Sequence, residues 1–247
     1  MRNLLFLILL VFVVSCNSSS EKNPADRIVS EAIEKAGGEK YEKAEIDFVF
    51  RKKHYSSSRN NGVYEFSRIM KDSLGEEVKD VLNNEGVKRF RDGVEVELND
   101  SIAGVIGESV NSVHYFVQLP YGLDGEAVNR KIVGEDTIND QSYYEIEVTF
   151  DAEGGGEDHE DVYLYWIQKE DYTIDFMAYR FFVNDGGIRF RVATNPRVIN
   201  GIRFVDYENY KTKDLSTPLE QLDELYMEGK LTKVSEIENE VLKVQIN

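Results

Sequence analysis

The sequence predicts a mainly antiparallel β domain of the α+β kind. We expect a strongly curved meander sheet, or incomplete barrel, with an N-terminal helix, a central helix covering its concave face and a short C-terminal helix. Three observations support this. Apolar residues recur with period two in many short runs parted by turn residues. Two stretches, beginning near Asn23 and Ile102, switch to helical spacing. The central strands are apolar on both faces, so each face needs a cover.

Asn23-Pro24-Ala25-Asp26 opens a helix with a capping residue, a proline at the first helical position and an acid in the first turn. Gly37-Gly38 closes it, and Ile28, Val29, Ala32, Ile33 and Ala36 share one face. From Glu45 the period becomes two: Ile46, Phe48 and Phe50 alternate with Asp47, Val49 and Arg51. Ser56 to Gly62 reads as turn, and Val63 to Met70 as the next strand. Strands follow at Val78 to Leu82, Val87 to Phe90 and Val94 to Leu98.

Ile102 to Leu119 places Ile106, Val110, Val113 and Val117 at helical spacing before Pro120 stops it, with Gly104 and Gly107 as weak points. Strands resume at Val128 to Val133, Tyr143 to Phe150, Val162 to Gln168, Thr173 to Phe182, Ile188 to Ala193 and Ile202 to Tyr210. Thr217-Pro218-Leu219-Glu220 starts a short helix ending at Gly229, and one or two strands finish the chain between Leu231 and Ile246. In Val162 to Ile167 and Ile174 to Phe182 both faces are apolar. The cover is an amphipathic helix, a second sheet or a bound apolar ligand.

Ahead of this domain the chain carries an address. Arg2 precedes 11 apolar residues, Leu4 to Val14, and Ser15 stands before Cys16, the single cysteine. Residues 1–15 therefore read as a signal peptide with a lipobox, and Cys16 as the lipid attachment point. The run is too short for a membrane-spanning helix, which needs about 20 apolar residues. Residues 16–24 form a polar tether, and residues 25–247 a single domain. Asn17, rather than an acid, follows the cysteine, which favours the outer membrane, facing either the periplasm or the cell surface.

Removing residues 1–15 leaves 28 basic against 46 acidic residues. That balance excludes nucleic acid as a partner and leaves the lipid as the membrane contact. A lone cysteine excludes disulfides and thiolate metal sites. No cofactor is expected, with calcium the leading candidate metal. The oligomeric state is left open.

The three histidines, His54, His114 and His159, match no metalloprotease or nucleophile-elbow pattern. His114 stands beside Tyr115 and Phe116, where it is either a packed histidine or an acid–base catalyst. Asp151, Glu157, Asp158 and Asp161 surround Gly154-Gly155-Gly156, a solvated acidic loop or a set of hard oxygen ligands for calcium, with His159 suggesting a transition metal. Arg189 and Arg191 share a strand face near Arg180 and Arg203. They form an anion pocket or pair with Glu145, Glu147 or Asp175 across strands.

Several segments resemble an uncharacterised family of Gram-negative lipoproteins defined by a domain of unknown function. They are Phe50-Arg51 with His54-Tyr55, Ser109 to Phe116 with Leu119 to Leu123, Gly154 to Val162, Tyr165-Trp166-Ile167, and Gly186 to Arg191. Members are often labelled deoxyribose-phosphate aldolase. This sequence does not support that label, because an exported meander lacks the strand–helix alternation of a parallel barrel. The element order also resembles the lipoprotein carriers LolA and LolB, which implies an apolar cavity able to receive an acyl chain.

The expected function is therefore that of a membrane-anchored, non-enzymatic protein that binds or carries a lipid or other apolar ligand. The expected lining is Tyr163, Tyr165, Trp166, Tyr179, Arg189 and Arg191. The alternatives are an envelope hydrolase using His114 or His159 with carboxylates, and a scaffold in an envelope complex.

Overall fold

The computed structural model describes residues 23–156, 159–183 and 185–247. Cys16, Glu157 and Asp158 lie outside them. Helix α1 spans Pro24–Ala36, and its first turn is capped by the Asn23 side chain, which accepts from the Ala25 N–H at 3.1 Å.

A first meander follows: β1 (Ala44–Phe50), β2 (Lys53–Asn60), β3 (Val63–Lys71), β4 (Glu77–Asn83), β5 (Gly86–Arg91) and β6 (Val94–Val96). Helix α2 (Asp100–Val117) leads to a second: β7 (Val128–Ile138), β8 (Gln141–Phe150), β9 (Val162–Gln168), β10 (Ile174–Phe181), β11 (Gly187–Ile199) and β12 (Ile202–Lys211). A 3-10 turn at Leu219–Gln221 runs into α3 (Leu222–Met227), then β13 (Thr232–Ile237) and β14 (Asn239–Ile246).

The strands form two seven-stranded antiparallel sheets, ordered β14-β1-β2-β3-β4-β5-β6 and β13-β12-β11-β10-β9-β8-β7. Consecutive strands β13 and β14 sit on different sheets, so the chain crosses from one sheet to the other at Glu238. Asn239 secures that crossing: its side chain donates to the Val205 carbonyl at 2.7 Å and its backbone N–H to Asp206 at 2.9 Å. At the opposite ends of the strand order, β6 and β7 are joined by α2. The result is an open, curved double sheet with a helix between its free edges.

One sequence expectation is corrected. Ser56 to Gly62 is mostly strand, and only Asn61-Gly62 turns, at φ 49° and 85°, values suited to a tight hairpin. Serine and asparagine gave the segment a loop-like composition, but pairing with β1 on one side and β3 on the other overrides it. Tyr55, Ser57 and Arg59 point inward and are buried.

The two-sided apolar strands each have two covers. On the inner face of the second sheet, Ile146, Val148, Tyr165, Ile167 and Met177 pack beneath α1 and the end of α2. On its outer face, Leu164, Trp166, Phe176 and Phe190 pack beneath Leu219 and Leu222. Helices thus supply both covers that the strand pattern demands. Within the described residues, no helix is long and apolar enough to cross a membrane.

Candidate functional site

Helix α2 is amphipathic in an unusual sense, because it meets both sheets. Ile106 and Val110 pack on the first sheet with Phe66. Gly107 permits that approach, since a Cβ there would stand 3.0 Å from the Val87 side chain. Glycine costs helix stability but brings the backbone close to β5. On its other side, Tyr115 and Phe116 enter the inner face of the second sheet.

There they complete an aromatic cluster. Tyr163 stacks on Tyr179 with centroids 5.5 Å apart, and Phe116 lies 5.4 Å from Tyr179. The Tyr115 and Tyr165 hydroxyls hydrogen-bond one another. Burial pushes both well above the ordinary phenol range, so they stay protonated. The Arg191 guanidinium lies 4.0 Å from the Phe116 centroid and donates to the Tyr179 hydroxyl at 2.9 Å, leaving its Nε without a hydrogen-bond partner. Phe116 therefore covers a buried cation as well as apolar surface.

Of the six residues expected to line a ligand site, Tyr163, Tyr165, Tyr179 and Arg191 come together here. Arg189 lies on the same strand face, with its guanidinium over Phe181. Trp166 does not join them. Side chains alternate along a strand, so Trp166 faces outward against Phe190, at 5.5 Å between centroids. The inward tyrosines meet Tyr115 and Phe116 rather than open space.

A groove flanks α2 on the first-sheet side. Its central hollow of about 220 Å³ is lined by Arg59, Tyr64, Phe66, Asn111 and Tyr121. It shares Tyr121 with a hollow of about 430 Å³ beside α1, and Tyr64 with one of about 500 Å³ at the hairpin tips. Arg59 sits over the Tyr121 ring at 4.4 Å and the Phe66 ring at 4.8 Å, and donates to the side-chain oxygen Oε1 of Gln118. The sequence reading missed Arg59 because it placed this residue in a turn. The alternation of Tyr55, Ser57 and Arg59 was the signal available.

His114 belongs to the same polar chain. Its Nε2 donates to the Ser67 carbonyl at 3.3 Å and its Nδ1 accepts from Gln118 at 3.3 Å, which fixes the neutral tautomer. It stacks on Phe66 at 4.5 Å, and burial lowers its pKa to about 3. Such a histidine ties α2 to the sheet and, among the described residues, has no carboxylate as a hydrogen-bond partner. His159 instead sits in the acidic loop, with Nδ1 3.1 Å from the Gly156 carbonyl. In that loop Asp151 accepts from Asn129 at 2.7 Å, and Asp161 is buried.

Of the arginine pairings expected from sequence, Arg203 does pair with Asp175, at 3.6 Å. Arg180 donates instead to the Leu215 and Thr217 carbonyls.

An open antiparallel double sheet, crossed by a helix that fills its concave face, defines a protein of LolA-like architecture. The chain belongs to DUF6503, a family of unknown function whose model matches residues 2–239. Among solved structures it is similar to a LolA superfamily protein from Nitrosomonas europaea, with a TM-score of 0.50 and 12% identity over 90% of this chain and 93% of that one. A DUF1329 family protein from Desulfovibrio piger gives a TM-score of 0.44 and 9% identity, over 91% and 94% of the two chains. A domain assigned to outer membrane lipoprotein sorting in Vibrio parahaemolyticus gives 0.45 and 8%, over 90% and 92%. No curated protein sequence matches the chain. The likeness is one of fold.

Proposed function

We propose that this protein binds or carries a lipid or other apolar ligand between its two sheets, with α2 acting as a displaceable plug. Cys16 would hold it at the outer membrane through its own acyl chains, distinct from any lipid in the domain. One observation carries the reading: against the aromatic inner face around Tyr163 and Tyr179, α2 contributes two ring side chains, Tyr115 and Phe116, which lie directly on those tyrosines. An acyl chain that takes the place of those two rings offers the inner face equivalent apolar contact, so the exchange costs little hydrophobic burial. Arg191, uncovered when Phe116 leaves, then meets the ligand's acidic group.

The test is titration with a fluorescent fatty acid, read together with hydrogen exchange. Saturable binding that speeds amide exchange in residues 100–117 supports the proposal. Absence of saturable binding, or binding that leaves α2 protection unchanged, contradicts it.

A further inference from the structure

On the outer face of the second sheet, away from α2, three carboxylates from three elements converge. Asp136 of β7, Glu145 of β8 and Asp223 of α3 each place one oxygen so that all three lie within 4.8 Å of one another. They are remote in sequence and are brought together by the β7–β8 register and by the seating of α3 on the sheet. Glu145 is 6% exposed and Asp223 0%.

The site is built for these groups and lacks a counter-charge. Gly134, at the β7 bulge, faces Glu145, and a Cβ there would stand 2.1 Å from a Glu145 carboxylate oxygen. Glycine therefore leaves the space that Glu145 occupies. Neither oxygen of the fully buried Asp223 meets a donor in good hydrogen-bond geometry among the described residues, although the Glu224 backbone N–H and the Asp136 carboxyl stand beside it. Among the described residues, none of the three carboxylates is ion-paired to a lysine or arginine. Clustered buried acids with no basic partner are costly, and a cation in their midst removes that cost.

We propose that Asp136, Glu145 and Asp223 form a binding site for a hard divalent cation, with calcium as the preferred ion, which clamps α3 and the β7–β8 hairpin to the second sheet. The donor set is all oxygen, which excludes the thiolate- and imidazole-seeking metals. Carboxylates from three separate elements suit the flexible coordination of calcium better than the strict octahedron of magnesium. This site is distinct from the Asp151 to Asp161 loop that the sequence suggests for calcium.

The experiment uses the full chain in detergent, stripped with EDTA, and titrated calorimetrically with CaCl2 and with MgCl2 at pH 7.5. One calcium per chain is expected, with a rise in Tm of about 5 °C at a hundredfold excess over Kd. Glu145→Gln and Asp223→Asn should each weaken calcium binding at least tenfold. The loop variant D151N/E157Q/D158N should bind as the parent does. If Asp223→Asn fails to fold, Asp136→Asn, at a partly exposed position, gives the same readout. Absence of both binding heat and a Tm change at millimolar calcium overturns the proposal, as does a response to magnesium alone. Calcium binding lost in the loop variant but kept in Glu145→Gln also overturns it.

Discussion

The hydroxyl of Tyr115 on α2 and that of Tyr165 on β9 hydrogen-bond to one another, each the other's only such partner among the described residues, and so join α2 to the sheet beneath it. Tyr165 is completely buried. Tyr115→Phe should therefore cost about 1–2 kcal/mol, because it strands the Tyr165 hydroxyl. The double variant Y115F/Y165F should recover most of that loss, since neither partner is then left unpaired. Urea unfolding of the four proteins in this cycle reads the coupling directly.

Phe116 covers Arg191 and contacts Tyr163 and Tyr179. Phe116→Ala should destabilise the domain by about 3 kcal/mol and increase binding of an apolar fluorescent dye. A variant that loses stability without gaining dye binding would show that α2 is packing alone.

The buried, neutral His114 makes stability depend on pH. Its folded pKa, lowered to about 3, lies below the unfolded value of 6.5. Between those values the unfolded chain binds a proton that the native protein does not. Stability from this residue is therefore fully present above about pH 6.5 and is lost as pH falls towards 3. Burial pushes the carboxyls of Glu145 and Asp223 up, so they act in the opposite sense, gaining stability as pH falls through their raised range. The diagnostic quantity is thus the difference between parent and His114→Gln. The parent's stability relative to the variant should fall by on the order of 3 kcal/mol from pH 7 to pH 4. Parallel curves in urea unfolding would contradict a buried neutral His114.

Asp80 is fully buried between Arg68 and Arg89, at 2.6 Å from each. Burial pushes its carboxyl up, but the hydrogen bonds from Arg89 and Arg68 outweigh this and hold it below the usual range. Arg68 also reaches Ser109 of α2. Asp80→Asn leaves two guanidinium groups without their charge partner and should cost about 3–5 kcal/mol. A calorimetric Tm lowered by roughly 10 °C is the expected readout.

Elements with a local cause were legible in the sequence. The Asn23-Pro24 start of α1, the two-sided strands β9 and β10 and the helix between the two meanders each carry their pattern within about a dozen residues. What escaped depends on distant pairing. Ser56 to Asn60 reads as turn until β1 and β3 flank it, and Trp166 reads as a partner of Tyr165 until the strand pleat places them on opposite faces. The pairing of β1 with β14 and the convergence of Asp136, Glu145 and Asp223 involve residues too far apart for any periodicity to reveal. The acidic clustering that did show in sequence, Asp151 to Asp161, is instead a feature of one loop.

Native mass spectrometry of the mature protein isolated without denaturant from its own envelope tests the central claim most directly. The account predicts a population carrying one additional lipid mass, larger in Phe116→Ala and released by competing fatty acid. A clean ligand-free mass in both proteins, unchanged when fatty acid is added, would contradict it.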